Sequence, residues 1–102
     1  MNLSIEEHRA ELAQLCRRYH VLSLSLFGSA VRDDFDHTRS DLDFLVDFQR
    51  LPQGQYADAY FGLLEGLERL FGHPVDLVVA SAIKNPYFRQ SVEQTKASLY
   101  AA

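Results

Sequence analysis

The sequence of 102 residues predicts an α+β protein, an α/β sandwich in which helices cover a small mixed β-sheet. Segments whose apolar residues recur every three or four positions alternate along the chain with shorter segments of strand-like pattern. Gly, Pro and Ser mark the breaks between these segments. A chain of this length suits a single domain, which we place over residues 1–102.

The first predicted element is a helix from about Ile5 to Tyr19. Ser4 and Glu7 have the spacing of a capping box, in which each side chain bonds the other residue's backbone N–H. The apolar residues of this segment fall on one stripe at helical spacing; they are Ile5, Leu12, Leu15, Cys16 and Tyr19.

A strand is predicted over 21–27, where Leu22, Leu24 and Leu26 alternate with two serines. A short helical turn over 30–34 and a polar loop over 36–40 follow, and a second strand covers 41–48.

The second half of the chain repeats the alternation of helix and strand. Gly72 occupies the position of a helix C-cap glycine. Asn85 and Pro86 have the pattern of a helix N-cap followed by the first helical residue. The predicted elements are a helix over 56–71, a strand over 74–80, a helix from 86 to about 95 and a short strand over 98–100.

Composition and charge exclude several classes of protein. The single cysteine, Cys16, cannot form an internal disulfide, and its place on the apolar stripe indicates packing rather than a reactive thiol. No apolar run approaches the roughly 20 residues of a membrane span. The formal net charge of −4 argues against direct nucleic-acid binding. We therefore expect a soluble cytoplasmic protein.

Three acidic residues are candidates for chemistry because of where they fall. Asp41 and Asp43 are two apart on a predicted strand, so their side chains share one face about 7 Å apart. Asp43 and Asp76 each interrupt an otherwise apolar strand, where a carboxylate is costly unless a cation or several donors satisfy it. If the two strands are neighbours, the three carboxylates converge, and a divalent metal is the natural compensation.

Gly28 and Ser29 follow the first strand and precede the predicted helical turn. Glycine lets the backbone approach a ligand closely, and a helix N-terminus presents free N–H groups to an anion. This arrangement is typical of phosphate binding.

Taken together, these motifs resemble the minimal nucleotidyltransferases of the DNA polymerase β superfamily. The stretches that carry the resemblance are FGSAVRDDFDHTRSDLDFLVDF and the later PVDLVV. The resemblance implies a nucleotidyltransferase fold in which Gly28 and Ser29 hold the phosphates of ATP. It implies that Asp41 and Asp43 bridge two Mg²⁺ ions. Asp76 would ligate the catalytic metal and help to deprotonate the attacking hydroxyl.

Two further positions match the family pattern, and one departs from it. Arg32 matches the arginine three residues after Gly-Ser, and Ser40 matches the serine before the first aspartate. Many members have glycine after that arginine, where this chain has Asp33 followed by Asp34. These extra acids could weaken nucleotide binding or point to solvent.

The resemblance also implies a partner. Minimal nucleotidyltransferases are commonly paired with a helical HEPN ribonuclease toxin, and they act as antitoxins by transferring AMP from ATP to a tyrosine of that toxin. The shortness of the chain leads us to expect that another protein supplies the acceptor. Two alternatives stay open: a binding antitoxin that neutralises its partner by occlusion, and nucleotidyl transfer to another acceptor.

Five aromatic residues of the second half are interpreted mainly as core residues. Any of them left exposed would be a candidate partner surface. They are Tyr56, Tyr60, Phe61, Tyr87 and Phe88.

Overall fold

A computed structural model of the chain describes residues 5–28 and 41–102, whose four strands form one mixed sheet. The strands are β1 (Val21–Phe27), β2 (Leu42–Phe48), β3 (Val75–Val79) and β4 (Ala97–Ala101), and the α-helices are α1 (Arg9–Arg18), α2 (Gln55–Phe71) and α3 (Pro86–Thr95). The strand order is β3-β2-β1-β4. β2 and β3 are parallel, whereas β1 is antiparallel to both of its neighbours. The α+β prediction is confirmed.

The first helix is shorter than the sequence pattern suggests. Ile5–His8 forms a 3-10 turn, and the α-helix begins only at Arg9. Ser4, which the predicted capping box needs, lies outside the described residues, as do the helical turn over 30–34 and the loop over 36–40.

The ends of α2 and α3 follow the predicted capping chemistry. Gly72 ends α2 in the left-handed conformation, with a φ of 66°, and its N–H donates to the Glu68 carbonyl oxygen. Pro86 is the first residue of α3, and the Asn85 side chain accepts from two backbone N–H groups of its first turn.

The two faces of the sheet have different partners, because successive side chains of a strand point to opposite sides. On β2, Leu42, Phe44 and Val46 belong to the main core, which α1 and α2 cover. On the other face, Leu45 joins a smaller cluster with Phe27 and Val92, a residue of α3. Asp43 lies on this second face.

An irregularity at the start of β1 overturns one detail of the predicted alternation. The pairing of β1 with β2 shifts register between Val21 and Ser23. Val21, Leu24 and Leu26 are therefore buried in the main core, whereas Leu22 is exposed. A strict period of two cannot continue through a bulge, because the extra residue reverses the direction of the side chains.

α1 and α2 approach each other closely at two glycines of α2. A Cβ on Gly62 would fall 2.6 Å from Cζ of the Tyr19 ring, and one on Gly66 would fall 3.0 Å from Cδ2 of Leu15. Glycine within a helix costs about 1 kcal/mol relative to alanine. Here that cost allows the helices to pack directly against each other.

Cys16 is fully buried in the main core, as the sequence predicts. Burial raises the pKa of its thiol from 9.0 to about 12. The thiol therefore stays protonated and unreactive at neutral pH.

The interpretation of the five aromatic residues as core residues is wrong for four of them. Tyr56, Phe61, Tyr87 and Phe88 are exposed, whereas Tyr60 is half-buried and donates a hydrogen bond of 2.7 Å to the Leu77 carbonyl oxygen. Helical spacing predicts one buried face, but it does not show how much of a helix its neighbours cover. Across the two described stretches of chain, no helix has the length and apolarity to cross a membrane.

Candidate functional site

Two of the predicted acids lie side by side at one end of the sheet. Asp43 and Asp76 are direct partners in the parallel pairing of β2 with β3, and a hydrogen bond of 3.0 Å from the Leu42 N–H to the Pro74 carbonyl oxygen fixes the register just before them. Neighbouring strands are about 4.8 Å apart, and paired side chains point to the same face. Convergence of the two acids required the two strands to be neighbours, and β2 and β3 are neighbours.

Gly28 lies against the Asp43 carboxylate. It follows Phe27, whose Cα pairs with that of Asp43 across β1 and β2. The φ of Gly28 is 76°, which disfavours any residue with a side chain. A Cβ at this position would overlap Oδ2 of Asp43 and fall 3.2 Å from its Cγ. Only glycine therefore leaves room for both the turn and the carboxylate.

Gly28, Asp43 and Asp76 form a row across three adjacent strands. The two steps of the row, from β1 to β2 and from β2 to β3, together span about 10 Å. Asp43 is half-buried in the middle, and Asp76 is exposed on β3, the strand at the end of the sheet order. One end of the row is thus a backbone turn without a side chain, and the other is a carboxylate open to an approaching molecule.

Asp41 comes directly before β2, two residues from Asp43, and is exposed. In residues 5–28 and 41–102, no three His, Cys, Asp or Glu side chains are arranged to hold a metal ion together. The structure thus assembles a pair of carboxylates rather than a closed cluster, and the role of Asp41 as a third ligand stays a prediction.

The pair fits a magnesium ion by the chemistry of its donors. Mg²⁺ is usually held by one or two carboxylates together with substrate phosphates, rather than by an all-protein cage. Two carboxylates 4 Å apart repel by about 1 to 4 kcal/mol as the surroundings change from water to partly buried protein. A divalent cation between Asp43 and Asp76 would reverse the sign of this interaction.

Comparison with known proteins identifies the family. Residues 6–98 match the family described as the nucleotidyltransferase domain. The chain belongs to the nucleotidyltransferase family. Its row of glycine and two aspartates is therefore found in a family of transferases, which agrees with the resemblance found in the sequence.

Two relatives share substantial identity with this nucleotidyltransferase. A candidate protein adenylyltransferase of Methanocaldococcus jannaschii is 41% identical over 80 residues, which cover 78% of each chain. The protein adenylyltransferase MntA of Thermococcus cleftensis is 38% identical over 78 residues, covering 76% of this chain and 72% of the relative.

Solved structures confirm the fold. A structure described as a minimal nucleotidyltransferase superimposes with a TM-score of 0.76 at 30% identity, covering 95% of both chains. A second, with a TM-score of 0.64 at 19% identity, covers 96% of this chain and 73% of that one. Its description is a tri-AMPylated HEPN toxin of Shewanella oneidensis in complex with an MNT antitoxin. At that identity the likeness concerns the fold alone.

Three predicted nucleotide-binding residues fall outside the described part of the nucleotidyltransferase: Ser29, Arg32 and Ser40. The same holds for Asp33 and Asp34, which depart from the family pattern. The structure therefore gives the positions of Gly28, Asp41, Asp43 and Asp76, and the roles of all the predicted site residues stay predictions.

The sequence did not predict that the start of α3 lies beside this site. The ring of Phe88 meets that of Phe27 edge to face, with centroids 6.1 Å apart. Phe27 pairs with Asp43, so the start of α3 lies next to the row of Gly28, Asp43 and Asp76. The sequence carried no signal for this contact, because it joins two residues that are 61 positions apart.

A cavity of about 450 Å³ opens at the other end of β2 and β3. Its lining includes Asp47 and Phe48 at the carboxyl end of β2 and Val79 at that of β3. The predicted site residues that the structure describes, Gly28, Asp41, Asp43 and Asp76, do not line it. The carboxylate pair and this cavity are therefore separate features of the nucleotidyltransferase.

Proposed function

We propose that this nucleotidyltransferase is a protein adenylyltransferase that transfers AMP from ATP to a tyrosine of a partner HEPN toxin, for which it acts as the antitoxin. The proposal takes residues 1–102 as one catalytic domain. It also places the reaction in the cytoplasm, where ATP is available.

The observation that carries the proposal is the row formed by Gly28, Asp43 and Asp76. Its order matches the order of groups in an adenylyl transfer. The β- and γ-phosphates would lie at the glycine turn, the α-phosphate near Asp43, and the acceptor hydroxyl at the exposed Asp76. The span of about 10 Å is suited to holding a triphosphate and an acceptor in line.

In the proposed reaction, the tyrosine oxygen attacks the α-phosphorus of ATP, the bond from that phosphorus to the bridging oxygen of the β-phosphate breaks, and pyrophosphate leaves. The carboxylate of Asp76 accepts the proton of the tyrosine hydroxyl. Gly28 and Ser29 hold the outer phosphates, with Arg32 and Ser40 as additional contacts.

Asp41, Asp43 and Asp76 would hold two Mg²⁺ ions. When bound, these ions would neutralise negative charge on the phosphates and the leaving pyrophosphate. The chain would contribute by holding Asp43 and Asp76 side by side near the start of two adjacent strands, with Asp41 directly before the first, so that little reorganisation would be needed during the reaction.

The proposed acceptor and partner draw support from the named relatives. The two relatives described above carry the name protein adenylyltransferase at 41% and 38% identity. A chain of the same fold is an MNT antitoxin in complex with an AMPylated HEPN toxin.

The test is transfer of label from ATP carrying a radioactive α-phosphate, in the presence of Mg²⁺, to the product of the neighbouring gene, which the proposal expects to be a HEPN toxin. Asp43→Asn should lower the transfer rate at least 1,000-fold, because it removes a charge that faces the phosphates. Asp47→Asn is the matched control. Asp47 lies on the same face of β2, about 13 Å further along, and its replacement should change the rate less than threefold.

Two results would contradict the proposal. Transfer by Asp43→Asn at the wild-type rate would remove catalysis from this site. Absence of transfer by the wild-type protein, together with full neutralisation of the toxin by a variant lacking Asp41 and Asp43, would favour the alternative of an antitoxin that acts by occlusion.

A further inference from the structure

Two aromatic side chains at the start of α3 are exposed beside the catalytic row. Tyr87 is 82% exposed and Phe88 is 43% exposed. We refer to these two residues as the α3 aromatic patch. Burying a tyrosine or a phenylalanine against another surface releases much apolar area from water, so adjacent exposed aromatic residues are typical of binding surfaces.

The backbone that carries the patch is held firmly. Oδ1 of Asn85 accepts hydrogen bonds from the N–H groups of Tyr87 at 2.9 Å and Phe88 at 3.2 Å. Nη2 of Arg89 donates to the carbonyl oxygens of Ala80 at 3.2 Å and Ile83 at 2.9 Å. A surface ordered before binding loses less conformational entropy when a partner docks.

The patch is connected directly to the site through Phe27. The ring of Phe88 packs on Phe27 at a centroid distance of 6.1 Å, and Phe27 is the strand partner of Asp43. A protein that brings a tyrosine hydroxyl within about 3 Å of a phosphate near Asp43 must cover the surface around it. The α3 aromatic patch belongs to that surface.

The charge of the surrounding segment differs from that of the rest of the chain. Residues 80–102 contain three basic residues, Lys84, Arg89 and Lys96, and one acid, Glu93. The remaining residues contain seven basic residues and thirteen acids. Lys84 and Arg89, which flank the patch in sequence, are both exposed. The surroundings of the patch therefore favour an acidic partner surface.

We propose that the α3 aromatic patch is the docking surface for the acceptor protein, which contacts it with apolar side chains surrounded by acidic residues. The inference rests on the proposed function, because it takes the molecule that approaches Asp76 to be a protein. It goes further in assigning recognition of that protein to Tyr87 and Phe88, separately from the residues proposed to bind ATP.

The test compares Tyr87→Ala with Phe61→Ala. Phe61 is also an exposed aromatic residue, at 59%, but it lies on α2, which covers the opposite face of the sheet. Affinity for the purified HEPN-domain protein is measured by calorimetry without ATP, and the KM values for ATP and for the acceptor are measured in the transfer assay. Thermal unfolding of each variant verifies its fold.

Tyr87→Ala should weaken acceptor binding at least tenfold and raise the KM for the acceptor by a similar factor, with kcat and the KM for ATP within twofold of wild type. Phe61→Ala should leave both the affinity for the acceptor and the KM for ATP unchanged. Lys84→Glu provides a second variant that does not alter the aromatic residues. It should weaken acceptor binding severalfold at low salt and less at high salt.

Unchanged acceptor affinity in Tyr87→Ala would overturn the inference. A raised KM for ATP with unchanged acceptor affinity would also overturn it, since the patch would then contact the nucleobase. Calorimetry separates this inference from the proposed function. If wild type binds the acceptor but transfers no AMP, and Tyr87→Ala weakens that binding, the docking surface stands and the proposed activity fails.

Discussion

Replacing Gly28 with alanine tests whether the row of Gly28, Asp43 and Asp76 depends on the absence of a side chain at the turn. The added Cβ would have to occupy space that Oδ2 of Asp43 fills. We expect the Asp43 side chain to rotate away, because one torsion of a carboxylate yields more easily than the strand that carries it. The variant should therefore fold while its carboxylate is displaced.

The expected loss of folding free energy has two parts, one from the backbone conformation and one from the contact with Asp43. Alanine at a φ of 76° costs about 1–2 kcal/mol of folding free energy. Rotating Asp43 off its preferred position costs a further 0.5–1.5 kcal/mol or so. A displacement of about 1 Å in a catalytic group lowers activity roughly 100-fold. Stability should thus fall moderately, and activity strongly.

Gly72→Ala supplies the matched control. Gly72 has a similar φ of 66°, but among the described residues no atom outside its own segment of chain lies within 4 Å of the position its Cβ would take. Gly72→Ala should therefore cause the same backbone strain without affecting the row of Gly28, Asp43 and Asp76. Urea unfolding gives the stability of both variants, and each lost kcal/mol should lower the Tm by about 4–8 °C.

The transfer assay with labelled ATP then separates the two variants. Gly72→Ala should retain near wild-type kcat/KM below its Tm, whereas Gly28→Ala should lose about two orders of magnitude. Equal activity of the two variants would refute the argument that Gly28 makes room for the carboxylate. A loss of stability in Gly28→Ala more than 3 kcal/mol beyond that of Gly72→Ala would show that Asp43 cannot move as reasoned.

Three further predictions concern the scaffold. Gly62→Ala should destabilise the protein by about 1–2 kcal/mol in urea unfolding, because the clash with the Tyr19 ring outweighs the gain in helix propensity. In a Tyr19→Ala background the same substitution should be stabilising. Destabilisation in both backgrounds would contradict this reasoning. Burial raises the pKa of the Cys16 thiol to about 12 in the folded protein. The free energy of unfolding of wild type, relative to that of Cys16→Ala, should therefore be constant below pH 9 and fall by about 1.4 kcal/mol per pH unit from pH 9 to 12. A difference that stays constant over this range would refute the prediction. Asn85→Ala should cost about 0.5–2 kcal/mol in thermal unfolding by removing the cap of α3, and Asn85→Asp should restore most of it.

Local chemistry explains why much of the fold is predictable from the sequence. Gly72 and Asn85 mark helix ends because each forms hydrogen bonds with backbone groups of its own helix. These bonds depend on residues nearby in sequence and not on long-range contacts. The boundaries of β1 and α2 depend likewise on short-range patterns. Asp43 and Asp76 stand out in the sequence because each interrupts an apolar strand.

The remaining features depend on long-range pairing. The register that places Asp43 beside Asp76 comes from hydrogen bonds between strands more than 30 residues apart, which no local pattern encodes. The exposure of Leu22 follows from a register shift in the pairing with β2. The contact between Phe27 and Phe88 arises because α3 covers the second face of the sheet, which an amphipathic pattern alone does not predict.

The alternation of side chains along β2 has a consequence for how this protein can vary. Leu42, Phe44 and Val46 face the main core, whereas Asp43 and Leu45 face the side that carries the carboxylate row and α3. Residues that pack the main core thus alternate along β2 with residues on the face that carries the proposed site. In a saturation mutagenesis of β2, abundance in the cell should depend on the even positions and on the buried Leu45, whereas the proposed AMP transfer at equal abundance should depend on Asp43. Replacement of Asp43 should then alter the proposed activity without changing the packing of the main core on the other side of the strand.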